Sequence, residues 1–156
     1  TESAILAFQK WEGLPRDGMA GPRTVQLLTT ATRPTPRTKG GRAARIEVLL
    51  DRQLVLAIKN NRVVRTVHVA TGAAATPTPA GTYQVDAKIR RWWSIPYGEW
   101  LPWSVRFAPG FALHAYPSVP PVPSSHGCVR MVTRNAVWIY GFAHAGTVVR
   151  VIATSS

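Results

Sequence analysis

The stretch Arg45-Ile46-Glu47-Val48-Leu49-Leu50-Asp51-Arg52-Gln53-Leu54-Val55-Leu56-Ala57-Ile58-Lys59-Asn60-Asn61-Arg62-Val63-Val64-Arg65-Thr66-Val67-His68-Val69 decides the fold class. Ile46, Val48 and Leu50 alternate with Arg45, Glu47 and Leu49, and Leu54, Leu56 and Ile58 alternate with Val55, Ala57 and Lys59. A period of two marks a strand, whose successive side chains point to opposite faces. Asn60-Asn61 is a turn signal, and Val63, Val64, Val67 and Val69 follow it. The stretch therefore predicts three strands joined by short turns, a β-meander.

Working outward, a Pro-rich segment leads to a further strand over 82–87, and strands over 103–107 and 111–115 pair about Pro109-Gly110. Thr133 is placed to cap a helix over 135–143, with Val137, Ile139 and Tyr140 available to its buried face. Gly146 closes that region and 147–152 forms the last strand. Trp92, Trp93, Tyr97, Trp100 and Trp103, broken by Pro96, Gly98 and Pro102, either wall a groove or fill the core under a loop. Upstream, 31–44 is rich in Thr, Pro, Gly and cations and reads as a semi-extended linker. Before it, Ala4, Ile5, Ala7 and Phe8 lie at helical spacings with Gly13 as a stop, and a second short helix covers 24–28 with Pro22 near its start. Two short helices cannot close a core by themselves. The expectation is a mostly β chain of the α+β class, with one helix late in the chain. It divides into a helical segment at 1–30, a linker at 31–44 and a principal domain at 45–153.

One cysteine in 156 residues stands in Ser125-His126-Gly127-Cys128-Val129-Arg130-Met131. A lone thiol makes no intramolecular disulfide and no thiolate metal cage, so it is buried filler or a reactive group. Its loop-forming neighbours favour the reactive reading, since Gly127 lets the backbone approach a substrate or adopt positive φ. A nearby imidazole or guanidinium is expected to lower the thiol pKa towards working pH. Of the four histidines, His68 on a strand of valines is structural, and His144 beyond the last helix suits its negative end. His126, two residues from Cys128, would share its side in an extended segment, whereas His114 reaches the thiol only through the fold. Spacing alone favours His126. The N–H groups of Gly127 and Cys128 suit a developing oxyanion, and Arg130 can grip a carboxylate bidentately or sit in a surface ion pair. Ser125, Tyr116 and Tyr97 join Arg130 as candidates for binding substrate. After Asp51 the only carboxylates are Asp86 and Glu99, neither near the motif, which argues against a glycosidase with a matched acid and base. No His-x-x-x-His or Cys-x-x-Cys spacing occurs, so no metal and no cofactor is expected; a His114–His126–Cys128 zinc site is the remote alternative.

Ala112-Leu113-His114-Ala115-Tyr116-Pro117-Ser118-Val119-Pro120, then the cysteine string and Gly146-Thr147-Val148-Val149, resemble the catalytic core of the L,D-transpeptidases, the YkuD-type domain. Thr71-Gly72 with Thr76-Pro77-Thr78-Pro79-Ala80-Gly81-Thr82-Tyr83 resembles the family's segment that ends one strand and opens the next. The resemblance implies a β-sandwich with a short helix after the catalytic motif. It implies a cysteine acyl-enzyme that cross-links peptidoglycan, taking a tetrapeptide stem as donor and an amine on a neighbouring stem as acceptor, and covalent inhibition by carbapenems. His114 becomes general base and proton donor, with His126 in support. With carboxylates scarce, a backbone carbonyl, that of Ala115, is expected to hold the second nitrogen of His114. Family members often carry Gly or Ser there, and Asn or Arg at the Arg130 place. Alternatives are an L,D-carboxypeptidase using the same acyl-enzyme, or a non-catalytic wall-binding protein. Phe8-Gln9-Lys10-Trp11-Glu12-Gly13-Leu14 with Asp17-Gly18-Met19-Ala20-Gly21-Pro22-Arg23-Thr24 resembles the last two-thirds of a small peptidoglycan-binding repeat. The other reading is a docking appendage.

A hydrophobic content of 46% argues against disorder, and no apolar run is long enough to span a membrane. No signal peptide is present and the chain starts at Thr1, which suggests a trimmed form. The net charge of +12 draws polyanions. Its cations cluster only at 33–45 and 88–91, with no basic helical stripe, so nucleic acid is not the expected partner. Peptidoglycan stems and anionic wall polymers are, which places the protein outside the cytoplasm, secreted or in a bacterial envelope. Because Cys128 is the single thiol, Cys128→Ser should abolish both alkylation by iodoacetamide and turnover while leaving the circular dichroism spectrum unchanged.

Overall fold

The computed structural model describes residues 2–154. The meander is present: β1 (Arg45–Leu49), β2 (Leu54–Lys59) and β3 (Arg62–His68) pair antiparallel in sequence. Asn60 and Asn61 take the positive φ of their turn, +52° and +56°. The sheet is completed by β9 (Val148–Ile152), parallel to β1, and β4 (Gly81–Gln84), antiparallel to β9, giving the order β3-β2-β1-β9-β4. A second sheet holds β5 (Ala87–Ser94), β6 (Glu99–Ala108), β7 (Phe111–Ala115) and β8 (Val129–Met131) in that order. Among the described residues three helices accompany them: α1 (Glu2–Glu12), α2 (Pro22–Leu28) and α3 (Thr133–Phe142).

One core joins the two sheets. Ile46, Val48, Val55, Ala57 and Val149 of the first sheet meet Val105, Phe107, Leu113, Val129 and Met131 of the second, with Ala136 and Ile139 of α3. The alternation along β1 and β2 predicts one core face and one wet face. Instead every residue of β1 and the first five of β2 are buried. The outer face, Leu49, Leu54, Leu56 and Ile58, packs with Ala7 and Trp11 of α1 in a second apolar cluster. This is how α1, too short for a core of its own, finds one.

The segment 31–44, read as a linker, is strapped to the sheet. The fully buried carboxylate of Glu47 accepts from the N–H groups of Arg37 (2.7 Å) and Thr38 (3.1 Å) and from Thr38 Oγ1 (2.5 Å). A buried charge is tolerable only with such partners. The predicted strand over 82–87 breaks in two, since Val85-Asp86 carries the chain from the first sheet to the second. The aromatic run divides between the two readings, with Trp92, Trp93 and Tyr97 lining a cleft and Trp103 against the core. It is the β5–β6 hairpin, with Trp93 opposite Trp100 and Gly98 at φ +59° in its turn. Trp93 and Trp100 are exposed, and Trp103 packs against the core. Thr133 does not cap α3: Val132 holds that position without a side-chain bond. Val137 is exposed, because the face repeating through Ala136, Ile139 and Ala143 is the one turned to the core.

If α1 truly covers the outer face, Leu56→Ala should cost about 2–5 kcal/mol, as a cavity in a packed interior does. Denaturant unfolding checks this; a loss near zero would mean that the face is open to water.

Candidate active site

Strands β7 and β8 are parallel neighbours, with Leu113 opposite Val129, His114 opposite Arg130 and Ala115 opposite Met131. Leu113, Ala115, Val129 and Met131 enter the core. Alternation then turns His114, Cys128 and Arg130 to the other face. There they line one cleft of about 180 Å³. The β5–β6 hairpin supplies its far wall through Trp92, Trp93, Ile95, Pro96, Tyr97, Glu99 and Leu101, and His126 and Gly110 complete the rim.

The loop before Cys128 is built from internal hydrogen bonds. Ser125 Oγ donates to the Cys128 carbonyl at 2.5 Å and accepts from Gly127 N–H at 3.1 Å. Gly127 has φ +120°, and a Cβ there would lie 2.7 Å from the Phe111 ring, so no other residue fits. Thr78 Oγ1 donates to the Gly127 carbonyl at 2.6 Å, and the Thr71 carbonyl accepts from Ser124 and Ser125 N–H, both at 2.9 Å. These bonds correct two expectations. Ser125, expected to touch substrate, is 1% exposed and its hydroxyl is consumed within the loop. Gly127 N–H, expected to aim at an oxyanion, is spent on Ser125.

His114 is buried, and its Nδ1–H donates to the carbonyl of Ala115 at 2.8 Å. A carbonyl only accepts, so Nδ1 carries the proton and Nε2 is left as a base. Burial, more than any other cause, lowers His114 to about 4; the Arg130 charge adds to this, while the Ala115 bond and Glu99 oppose it. Burial also pushes the Cys128 thiol up, with Glu99 adding, against a backbone bond with Ala112 and the Arg130 charge. The expected lowering of the thiol is therefore overturned: Arg130 does favour the thiolate, but desolvation outweighs it. The resting pair is thiol and neutral imidazole, and the thiol donates to the Gly110 carbonyl at 3.6 Å.

His126 is exposed and stacks on Tyr97 at 4.4 Å between centroids, 14° from coplanar, joining the loop to the hairpin. Tyr116 is not part of the cleft wall. Its hydroxyl donates to Glu99 at 3.3 Å and its ring lies under the Arg130 guanidinium at 3.7 Å. Glu99, set aside in the sequence for its distance from the motif, completes this cluster, 3.7 Å from Arg130. The hairpin delivers it; its place in a strand facing the cleft was hidden by the Pro and Gly breaks. His68 is buried and structural, as its strand suggested, and His144 bonds Thr147 Oγ1 at 2.7 Å away from the cleft.

Residues 43–151 match the family model for the L,D-transpeptidase catalytic domain, and residues 1–28 that of a peptidoglycan binding domain. The chain is similar to the crystal structure of an L,D-transpeptidase from Xylanimonas cellulosilytica, at 31% identity and a TM-score of 0.86, over 97% of this chain and 80% of that one. An L,D-transpeptidase from Stackebrandtia nassauensis is similar at 27% identity and 0.71, over 97% and 77%. L,D-transpeptidase 3 from Mycobacterium tuberculosis, in complex with a faropenem-derived adduct, shares the fold at 20% identity and 0.63, over 70% and 60%. No curated protein matches the sequence.

Both His114 and His68 are lowered from 6.5 to about 4. Between those values the unfolded chain takes up protons that the folded protein refuses, so stability falls as pH falls through that window. The loss approaches about 3 kcal/mol per histidine. Acid unfolding followed by tryptophan fluorescence should steepen below pH 6.5, and His114→Gln should flatten it. Alkylation of Cys128, which needs the thiolate, should still be rising beyond the ordinary thiol value of 9.0.

Proposed function

The chain belongs to the L,D-transpeptidase catalytic-domain family, and from that premise we propose that it transfers an acyl group from a tetrapeptide stem of peptidoglycan, through Cys128, to an amine on a neighbouring stem. The single observation that carries this reading is the convergence of a neutral, oriented His114 and the Cys128 thiol in one apolar-walled cleft. The thiol attacks the carbonyl preceding the terminal D-residue as His114 Nε2 takes its proton. Cys128 N–H is the backbone donor that remains for the oxyanion, now that Gly127 N–H is engaged. Collapse of the intermediate breaks the C–N bond, and His114 returns the proton to the departing D-residue. An acceptor amine then attacks the thioester, its proton passing to His114 and then to the sulfur as the C–S bond breaks. A neutral resting pair suits this sequence, because the base is needed unprotonated and the thiolate forms only as it attacks.

Arg130 is 8% exposed and its Nε has no partner among the described residues, which supports a role at a substrate carboxylate. Tyr97 offers its exposed face to the stem, and His126 holds it there. The 1–30 segment is the peptidoglycan-binding-like unit, 31–44 its strap and 45–153 the catalytic domain. Action on peptidoglycan places the protein in, or secreted beyond, a bacterial envelope. The faropenem adduct of the Mycobacterium tuberculosis enzyme supports covalent capture of β-lactams here too.

Incubation with a carbapenem should add its mass to wild type and nothing to Cys128→Ser; an unmodified wild type after long incubation would sink the proposal. His114→Gln should lose about 100- to 10,000-fold in acylation rate. His126→Gln should lose less, through a looser hairpin. With a tetrapeptide, a cross-linked product that appears only when an amine acceptor is added marks a transpeptidase. Release of tripeptide in water marks a carboxypeptidase.

A further inference from the structure

We propose that Lys10, in the N-terminal helix α1, is a positioning residue for the reaction, whose ammonium holds the backbone supports of the 125–128 loop. The inference rests on Cys128 carrying the acyl group.

Lys10 is 2% exposed, and its Nζ donates to the carbonyls of Gln53 and Val69, each at 3.0 Å, and to His68 Nδ1 at 2.6 Å. The other ring nitrogen, His68 Nε2, donates to the Val119 carbonyl at 2.9 Å. A carbonyl only accepts, so the ring proton sits on Nε2 and Nδ1 presents a lone pair. Three acceptors thus converge on one nitrogen, and an ammonium has three protons. A neutral amine, or any side chain with fewer donors, would leave a buried acceptor bare. The site is otherwise unwelcoming to a cation: burial first, and Arg16 second, lower Lys10 to about 7.

Each of the three bonds leads to the catalytic loop. Gln53 holds a left-handed backbone, φ +57°, which is strained for any residue but glycine. Its carbonyl is fixed by Lys10 and by Val69 N–H at 3.2 Å. Its side chain donates to Thr71 Oγ1 at 2.6 Å and accepts from Thr71 N–H at 2.8 Å. Thr71 in turn receives the N–H groups of Ser124 and Ser125. Through His68 the second bond reaches Val119, in the connection that runs from His114 to the loop. The third fixes Val69, beside Ala70, which exchanges backbone bonds with Arg130 at 3.0 and 2.9 Å. A helix outside the catalytic domain thereby sets both ends of the segment that presents Cys128. The neighbouring Gln9, by contrast, is spent within its own unit, on Asp17, Gly18 and Met19.

The test uses the whole chain with Lys10→Met, His68→Leu and His68→Gln. Three quantities are measured: the maximal rate of acylation by a carbapenem, its half-saturating concentration, and the rate of Cys128 alkylation by iodoacetamide. Lys10→Met should lower the maximal rate about tenfold or more, as small misplacements of reacting groups do, with the half-saturating concentration little changed. His68→Leu should fall with it. His68→Gln should keep most of the wild-type rate, because its amide can accept from Lys10 and donate to Val119. A wild-type rate in Lys10→Met, or a Gln variant as impaired as the Leu variant, overturns the proposal. Should Lys10→Met not fold, the His68 pair decides by the same criterion. If wild type takes no carbapenem, the function reading fails, and iodoacetamide still reads the loop: altered Cys128 reactivity in His68→Leu but not His68→Gln supports positioning, and equal reactivity overturns it.

Discussion

The parallel register of β7 and β8 is the constraint from which the site follows. Setting Leu113 against Val129 commits Leu113, Ala115, Val129 and Met131 to the core. The same pleat leaves His114, Cys128 and Arg130 on the opposite face, in one cleft. Slipping the pairing by one residue would send the imidazole inward and a leucine out. Parallel strands also need a long connection, and here it is 116–128, the segment that ends in the cysteine loop. The connection that topology demands is thus the one that brings Cys128 to the cleft.

Desolvation then sets the protonation states. The cleft wall formed by Trp92, Trp93 and Leu101 is apolar enough that burial dominates for both groups, holding His114 neutral and the thiol protonated. A low dielectric also strengthens each remaining dipole, including the Ala115 carbonyl that fixes the imidazole tautomer. The loop itself is held by internal hydrogen bonds. Ser125, Gly127 and Thr78 satisfy one another, so the backbone of Cys128 has little freedom to wander.

The N-terminal segment is structural in a second sense. β1 and β2 are buried on both faces, which a two-sheet core alone would not require. Docking α1 on the outer face removes Leu49, Leu54, Leu56 and Ile58 from water and admits the polar contacts of Lys10. Glu47 fastens the strap by the same logic, a buried charge made tolerable by several donors.

By itself the sequence determined the elements whose signal is local. Alternating apolar residues specified β1, β2 and β3, Asn60-Asn61 and Pro109-Gly110 specified turns, and the spacing of Ala7 and Phe8 with Gly13 specified α1. Its one thiol, set among Ser125, His126 and Gly127, singled out Cys128. Only the tertiary structure decided the rest. The β5–β6 hairpin was obscured because Pro96, Gly98 and Pro102 read as breaks, although a hairpin turn and an irregular strand accommodate all three. Glu99 joined Arg130 and Tyr116 through that hairpin, across a separation no local pattern encodes. Thiol and imidazole protonation went against the sequence expectation because desolvation is a property of the assembled cleft, not of neighbouring residues. The burial of Lys10 was likewise invisible, because a lysine on an amphipathic helix reads as solvated until three acceptors from elsewhere in the chain are brought to meet it.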